Sequence, residues 1–555
     1  MVDIQIPHSV LAGGWIPFTV VVVLTLIFAW VYIRLFQHNE LSEVSSSLVA
    51  VLGLFVVLLT TAVVPVDVFL VSYMKTPNGT FKAWAADNVT RSSVEATVTY
   101  TYYTLYGLVA LFVFFLLPFM YFYYEEKDDD EVSTKQRCCT GLKYTIGFLV
   151  AAFIILLTGA LVPLKTPKNI PDMADKFNYL KHELEQYTKP QQAISIMVGC
   201  MSMLGMLTLV MYTGYGMSAL PLGMIRCCGK YKAPEDDEQK RRLSRRERDQ
   251  ERARMIRAKQ NSGRNLTRFE RNELHRIEAN ERLDERVARR KNKMKRNCCG
   301  RILLFLKPFE VVFGFAFLGI SLLIMASLTV TSIDKAMHSL GPKAGYALPK
   351  PHLPNPINFV MVYAQKVFPL DYVLFSGMAL FFIFASMSGL KRMGIWCCCI
   401  KMYKVRIGRT MPQALIFMVF IMMFMVLALN IVLFTVSPQY VQYGNQKYQA
   451  NVTETHPAVN GTGNVTTWRM ETMICTTSAP EGECLMSRLA LLLNTLFYKA
   501  WFFGAFFYWA MWGFVGMFYL GLFVSLWKMC RTKPETEMVS SSDSDADSDT
   551  SLIRA

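Results

Sequence analysis

Charge is scarce in this chain. Only 18% of its 555 residues are Asp, Glu, Lys or Arg, against roughly 25% in soluble domains. Apolar residues make up 53%, and mean hydropathy is positive at +0.28. This excludes a disordered chain and argues against a soluble multidomain enzyme. Motifs of familiar enzyme chemistry are also missing: the chain has no G-x-x-x-x-G-K-[ST], no H-E-x-x-H, no Gly-rich dinucleotide fingerprint and no G-x-S-x-G. No enzyme activity is read from it. Any active transport would need a gradient or an energised partner.

The apolar residues fall in blocks of about 20 or more, enough to cross roughly 30 Å of hydrocarbon. Nine candidate spans stand out: Gly14–Phe36, Ser47–Tyr73, Ala96–Tyr124, Gly141–Leu164, Ile194–Ile225, Val311–Ile333, Leu370–Leu390, Pro412–Val436 and Leu496–Trp527. In lipid, backbone N–H and C=O groups must be satisfied within the segment, so these runs should be helices. The predicted fold class is therefore all-α, a polytopic membrane helical bundle in the lipid bilayer. The N-terminal flank Met1-Val2-Asp3-Ile4 lacks a basic region, so the first span is not read as a cleaved signal. Arg34 at its far end puts the N-terminus on the lumenal side, and an odd number of spans puts the C-terminus in the cytosol. The basic residues concentrate in two predicted cytosolic loops, 226–301 and 391–409. The net charge of +16 is mostly this topology signal.

Three further marks bear on that orientation. Sequons at Asn78, Asn88, Asn451, Asn460 and Asn464 all land on the predicted lumenal side and are candidates for glycans. A sixth, at Asn265, falls in the cytosolic loop and should stay bare. Cys138, Cys139, Cys227, Cys228, Cys298, Cys299, Cys397, Cys398, Cys399 and Cys530 sit at predicted cytosolic membrane edges. They read either as palmitoylation candidates or as ordinary small apolar side chains. No C-x-x-C pair or nearby His completes a zinc set, so no metal site is read there. Cys475 and Cys484 are the cysteines of a lumenal loop, where an oxidising compartment favours a disulfide over two free thiols.

The chain thus divides into spans one to five (1–226), a basic cytosolic loop (227–300), spans six to nine with the glycosylated lumenal loop (301–530) and an acidic tail (531–555). The basic loop holds 24 Lys/Arg against 13 Asp/Glu. It suits a partner-binding hairpin, contact with anionic lipid, or a plain solvated positive-inside loop. Nucleic acid is not a partner, because interspersed acids dilute the charge. The segment between Asp334 and Phe368, with Pro342, Pro349, Pro351, Pro354 and Pro356, reads as an extended cover. The Ser/Asp-rich tail should be disordered. Its Ser548, four residues before Leu552-Ile553, gives either an acidic dileucine signal read by clathrin adaptors or a solubilising end.

Asp67 and Asp371 are the intramembrane polar candidates. They sit in Pro65-Val66-Asp67-Val68 and Pro369-Leu370-Asp371-Tyr372. Each reads either as a structural cap for backbone freed near proline or as part of a ligand or ion path. The lumenal His338, His352 and His456 could titrate in an acidic organelle or simply be solvated.

Several stretches carry a resemblance. They include Pro65 through Lys75 (PVDVFLVSYMK), Tyr121 through Asp130 (YFYYEEKDDD), Tyr215 through Leu222 (YGMSALPL), Ile407 through Leu415 (IGRTMPQAL) and Pro438 through Gly444 (PQYVQYG). The chain resembles the limb-region-type family of polytopic membrane proteins, and within it the branch that serves lysosomal cobalamin export. The resemblance implies a multi-pass protein of the lysosomal membrane, present also in the endoplasmic reticulum and plasma membrane. It implies a role as escort or adaptor of a subfamily-D ABC transporter, with cobalamin as transported ligand and no covalently bound cofactor. It assigns no cobalamin-binding residue. The alternative is a stand-alone transporter, channel or receptor using Asp67 and Asp371.

Overall fold

The computed structural model describes residues 8–37, 44–126, 134–161, 189–229, 251–259, 274, 277, 298–342, 345–346, 348, 351–367, 369–397, 400–405, 407–408, 410–457, 464–476, 479–480 and 483–531. Most of the basic loop and the acidic tail therefore lie outside the described residues, as does the 548–553 signal. The chain divides into two compact units: Met1–Leu220 with Ile320–Phe523, and Pro221–Gly319 with Val524–Ala555.

Among the described residues, nine helices are long and apolar enough to cross a membrane: Thr19–Phe36, Val44–Tyr73, Asn88–Glu125, Thr134–Thr158, Ala193–Ile225, Phe309–His338, Leu370–Met393, Pro412–Val436 and Trp501–Trp527. The helices that bear them are α1 (His8–Phe36), α2 (Val44–Tyr73), α3 (Asn88–Leu111) continuing into α4 (Leu117–Glu125), and α5 (Thr134–Leu161). They continue with α6 (Lys189–Gly229), α7 (Cys298–His338), α9 (Leu370–Met393), α10 (Pro412–Val436) and α13 (Trp501–Arg531). The turn between α3 and α4, Phe112–Leu116, is π-helical. Pro118 follows at once and withholds a backbone donor, so the preceding turn widens instead of breaking.

Three expectations change. The last span does not start at Leu496: the helix breaks at Ala500 (φ −129°, ψ 83°), and Leu496–Lys499 ends a separate helix, α12 (Arg488–Lys499). The stretch after Asp334 is not all extended, since α7 runs on to His338 and α8 (Pro356–Ala364) is capped by the Asn355 side chain. The loop after Val436 holds α11 (Pro438–Tyr443) and an antiparallel hairpin of β3 (Lys447–Pro457) and β4 (Asn464–Ile474), paired from Lys447/Ile474 to Pro457/Asn464. A second small hairpin, β1 (Ile395–Cys397) with β2 (Ile400–Tyr403), follows α9.

Helix α10 is the core of the first unit. It is buried along nearly its whole length and packs on α2, α4, α9 and α12. By contrast α5 packs on α4 and leaves Leu149, Val150, Phe153 and Ile154 exposed, an apolar face that suits hydrocarbon. Helix α6 crosses α9 with backbones nearly touching. A Cβ at Gly216 would strike the Ala385 carbonyl, and one at Gly389 would strike the Tyr212 carbonyl. Gly216 on α6, and Ala385 and Gly389 four apart on α9, permit this approach. At the same crossing the Thr213 and Ser386 hydroxyls bond at 2.7 Å. In the second unit, Gly314 lies against Met224 and Ile225.

Candidate functional site

Asp67 lies two residues beyond Pro65, near the C-terminal end of α2, and is 1% exposed. Its carboxylate accepts the Leu489 N–H at 2.9 Å, the Arg488 N–H at 3.3 Å and the Tyr102 hydroxyl at 3.2 Å. The two N–H groups open α12, where a helix has unpaired donors and a partial positive charge. Ser487 caps the same terminus, its Oγ taking the Ala490 N–H at 3.2 Å and giving to the Val441 carbonyl at 2.7 Å. The Arg488 guanidinium pairs with Glu95 on α3. Burial pulls Arg488 below its ordinary pKa, and the Asp67 charge opposes that shift. Asn430 of α10 donates to the Tyr106 hydroxyl at 3.4 Å, one turn from Tyr102. Asp67 thus ties α2, α3 and α12 together.

Asp371 is fully buried in the first turn of α9 and accepts the Tyr440 hydroxyl at 3.1 Å. Phe69 and Tyr372 meet edge to face, ring centroids 5.0 Å apart, so the two Pro-x-Asp segments lie at one end of the first unit. Their settings differ. Pro65 is inside a helix, whereas Pro369 is the residue before one.

The same end gathers further contacts and the candidate disulfide. Lys75 is buried; its Nζ donates to the Glu483 carbonyl and stands 3.9 Å from the Glu483 carboxylate. Burial lowers the Lys75 pKa, with the Glu483 charge acting against that. Gly79, at φ +87°, presses on the Tyr448 backbone, where a Cβ would not fit. Gly444, at φ +58°, lies on Val68 and Ser72, and Ser72 Oγ accepts the Asn445 N–H at 2.8 Å. Cys475 and Cys484 are bonded, with Cα atoms 5.9 Å apart. The bridge packs against Tyr443 and Tyr448, and burial pushes the Tyr443 hydroxyl up to about 12. The Gln446 side chain donates to the Tyr443 and Leu485 carbonyls at 2.9 and 2.6 Å and accepts the Leu485 N–H at 3.0 Å.

Asn78 is exposed in the turn after α2. Asn88 is exposed as the first residue of α3, where its Oδ1 accepts from Arg91. Asn451 and Asn464 fall in β3 and β4, but their side chains, and Asn460 altogether, lie outside the described residues. Cys138 and Cys139 are free and exposed at the start of α5. The side chains of Cys227, Cys228, Cys298, Cys299, Cys397, Cys398, Cys399 and Cys530 are outside the described residues, as are those of His456 and Lys499. Sequence reasoning missed Tyr102, Glu95, Lys75 and Arg488. Only the last carries a local signal: Ser487 followed by an amphipathic run reads as a helix start.

This arrangement pairs carboxylates with donors and joins distant segments. Among the described residues it sets no nucleophile beside a base. Its chemistry is to hold the end of a helical bundle rigid.

The chain matches the LMBR1-like membrane protein family over residues 14–303. It is 47% identical over 545 residues to a probable lysosomal cobalamin transporter of Nematostella vectensis, covering 97% of this chain and 98% of that one. It is 40% identical over 539 residues to the lysosomal cobalamin transport escort protein LMBD1 of Danio rerio, covering 97% of each. The LMBD1 of Gallus gallus is 38% identical over 546 residues, covering 98% of each. No solved structure matches. This chain belongs to the LMBR1-like family of membrane proteins.

Proposed function

We propose that this protein supports export of cobalamin from the lysosome to the cytosol, as escort or adaptor of a subfamily-D ABC transporter. The observation that carries the reading is similarity along nearly the whole chain to proteins named for lysosomal cobalamin transport and its escort. The missing nucleotide-binding motif agrees with it: hydrolysis belongs to the partner, and this chain supplies membrane surface. In this reading the N-terminus and the end built around Asp67 are lumenal and the C-terminus cytosolic. The Cys475–Cys484 disulfide forms in the oxidising lumen, Asn78, Asn88, Asn451, Asn460 and Asn464 are the glycan acceptors, and the cytosolic cysteine clusters take palmitate. Sorting through clathrin adaptors would use the Leu552-Ile553 tail.

Removing the protein from cells tests this. Cobalamin should accumulate in lysosomes, and the ABC transporter should fail to reach them while still being made. Normal delivery of the transporter alongside trapped cobalamin would overturn the escort role. It would favour a stand-alone transporter with Asp67 and Asp371 near its path.

A further inference from the structure

The C-terminal turn of α7 and the chain that follows bring three metal-type donors together. Asp334 and His338 are four residues apart on the helix, and His352 returns to them from the stretch before α8. One carboxylate oxygen and one ring nitrogen from each histidine all lie within 4.8 Å of one another. His338 Nδ1 stands 2.8 Å from Asp334 Oδ1. The two imidazoles stack with centroids 4.2 Å apart and planes 25° apart. The Asp334 side chain is 3% exposed and that of His338 36%, so a buried acid backs an accessible pair of rings.

We propose that Asp334, His338 and His352 form a binding site for one divalent transition-metal ion of the zinc class. The donor set of two nitrogens and one oxygen suits zinc, nickel, copper or cobalt, whereas calcium and magnesium take all-oxygen cages. The acid is held as a ligand carboxylate usually is, by outer donors that fix its orientation. Its Oδ2 accepts the His352 N–H at 3.0 Å and the Leu353 N–H at 3.4 Å, which leaves Oδ1 aimed at the imidazoles.

The stretch carrying His352 is itself anchored. Asn355 Nδ2 donates to Thr331 Oγ1 at 2.9 Å and to the Val436 carbonyl at 3.0 Å, while Ser327 donates to Asn355 Oδ1 at 2.7 Å. The donors are therefore placed before any ion arrives. A helix C-terminus carries partial negative charge and favours a cation. On binding, His338 carries its proton on Nε2 and turns Nδ1 from donor to ligand. The open face of the rings leaves room for water or an outside ligand as a further donor. An Asp and His four apart with a third donor fourteen residues on has no recognised spacing, which hides the site from a motif search.

The test uses the full chain in nanodiscs, free of any polyhistidine tag and with its free thiols alkylated, so that cysteines do not take metal. Zn²⁺ is the probe, measured by equilibrium dialysis with elemental analysis. The wild type should hold one Zn²⁺ more than His338→Gln/His352→Gln. His352→Gln alone should weaken that site by at least the roughly 10–100-fold that loss of an outer partner costs. Zn²⁺ should also raise the melting temperature of the wild type but not of the double variant. Glutamine is placed only at the exposed rings, so the Asp334 bonds to 352–353 survive. Equal melting temperatures in EDTA would verify the double variant's fold, and if it misfolds the single variant carries the comparison. Equal Zn²⁺ content in wild type and variants would overturn the proposal and leave the cluster as a backbone clamp.

Discussion

The α6–α9 crossing, near the C-terminal end of α9, and the end built around Asp67 are held by opposite means. At the crossing, α6 and α9 touch through glycine, with Gly216 and Gly389 each leaving no room for a side chain. At the Asp67 end polar contacts join residues far apart in the chain: Asp67 with Leu489, Lys75 with Glu483, and Gln446 with Leu485. Where lipid surrounds protein there is no hydrophobic drive between helices, so close fit must replace it. Where the helices end, unpaired backbone must be capped, so carboxylates and amides replace fit.

That contrast can be broken from both sides. The largest effect is expected from Asp67→Ala. It strips the α12 terminus of its acceptor and leaves the Arg488 and Leu489 N–H groups and the buried Tyr102 hydroxyl without one, at roughly 1–3 kcal/mol for each buried donor left unsatisfied. Melting in detergent and arrival at the lysosome should both suffer. Asp67→Asn should recover much of the loss, because one amide oxygen still accepts. Gly216→Val comes next, at roughly 1–3 kcal/mol or more for overpacking. It should separate α6 from α9, read as lost disulfide cross-linking between cysteines introduced on the two helices.

Cys475→Ser should cost about 2–4 kcal/mol. The effect should appear in the proteolysis rate of the hairpin, with the α6–α9 crossing unaffected. Ser487→Ala removes one cap, about 1 kcal/mol. The smallest effect belongs to Asp87, which caps α3 through the Val89 and Thr90 N–H groups. These bonds hold its carboxyl below the usual carboxylate range. Its stabilising contribution is therefore complete above the unfolded value and is lost as pH falls through the folded one. Asp87→Ala should lower the melting temperature slightly at neutral pH and converge with wild type in strong acid.

The nine spans were legible because length and hydropathy are local properties, and bilayer thickness fixes what counts as long enough. Pro412–Val436 even kept its bounds. The Asp67 end was much less legible. Asp67 stood out as a charge in an apolar run, but its two backbone donors lie 421 and 422 residues away. The β3–β4 hairpin carries polar, sequon-rich strands that alternate weakly, so it read as loop. Leu496–Lys499 joined the last span because apolar residues continue across Ala500, where only the backbone turns. His338 and His352 were visible singly and Asp334 only as the edge of a proline-rich segment, and folding alone brings the three together.

Flux across a sealed bilayer tests the central claim most directly. The pure protein is reconstituted into liposomes loaded with cobalamin, with and without the subfamily-D ABC transporter and ATP. An escort predicts no release from the protein alone and ATP-dependent release once the transporter is present. Release by this chain alone, abolished by Asp67→Asn or Asp371→Asn in a folded protein, would contradict the account and make those acids part of a conduction path.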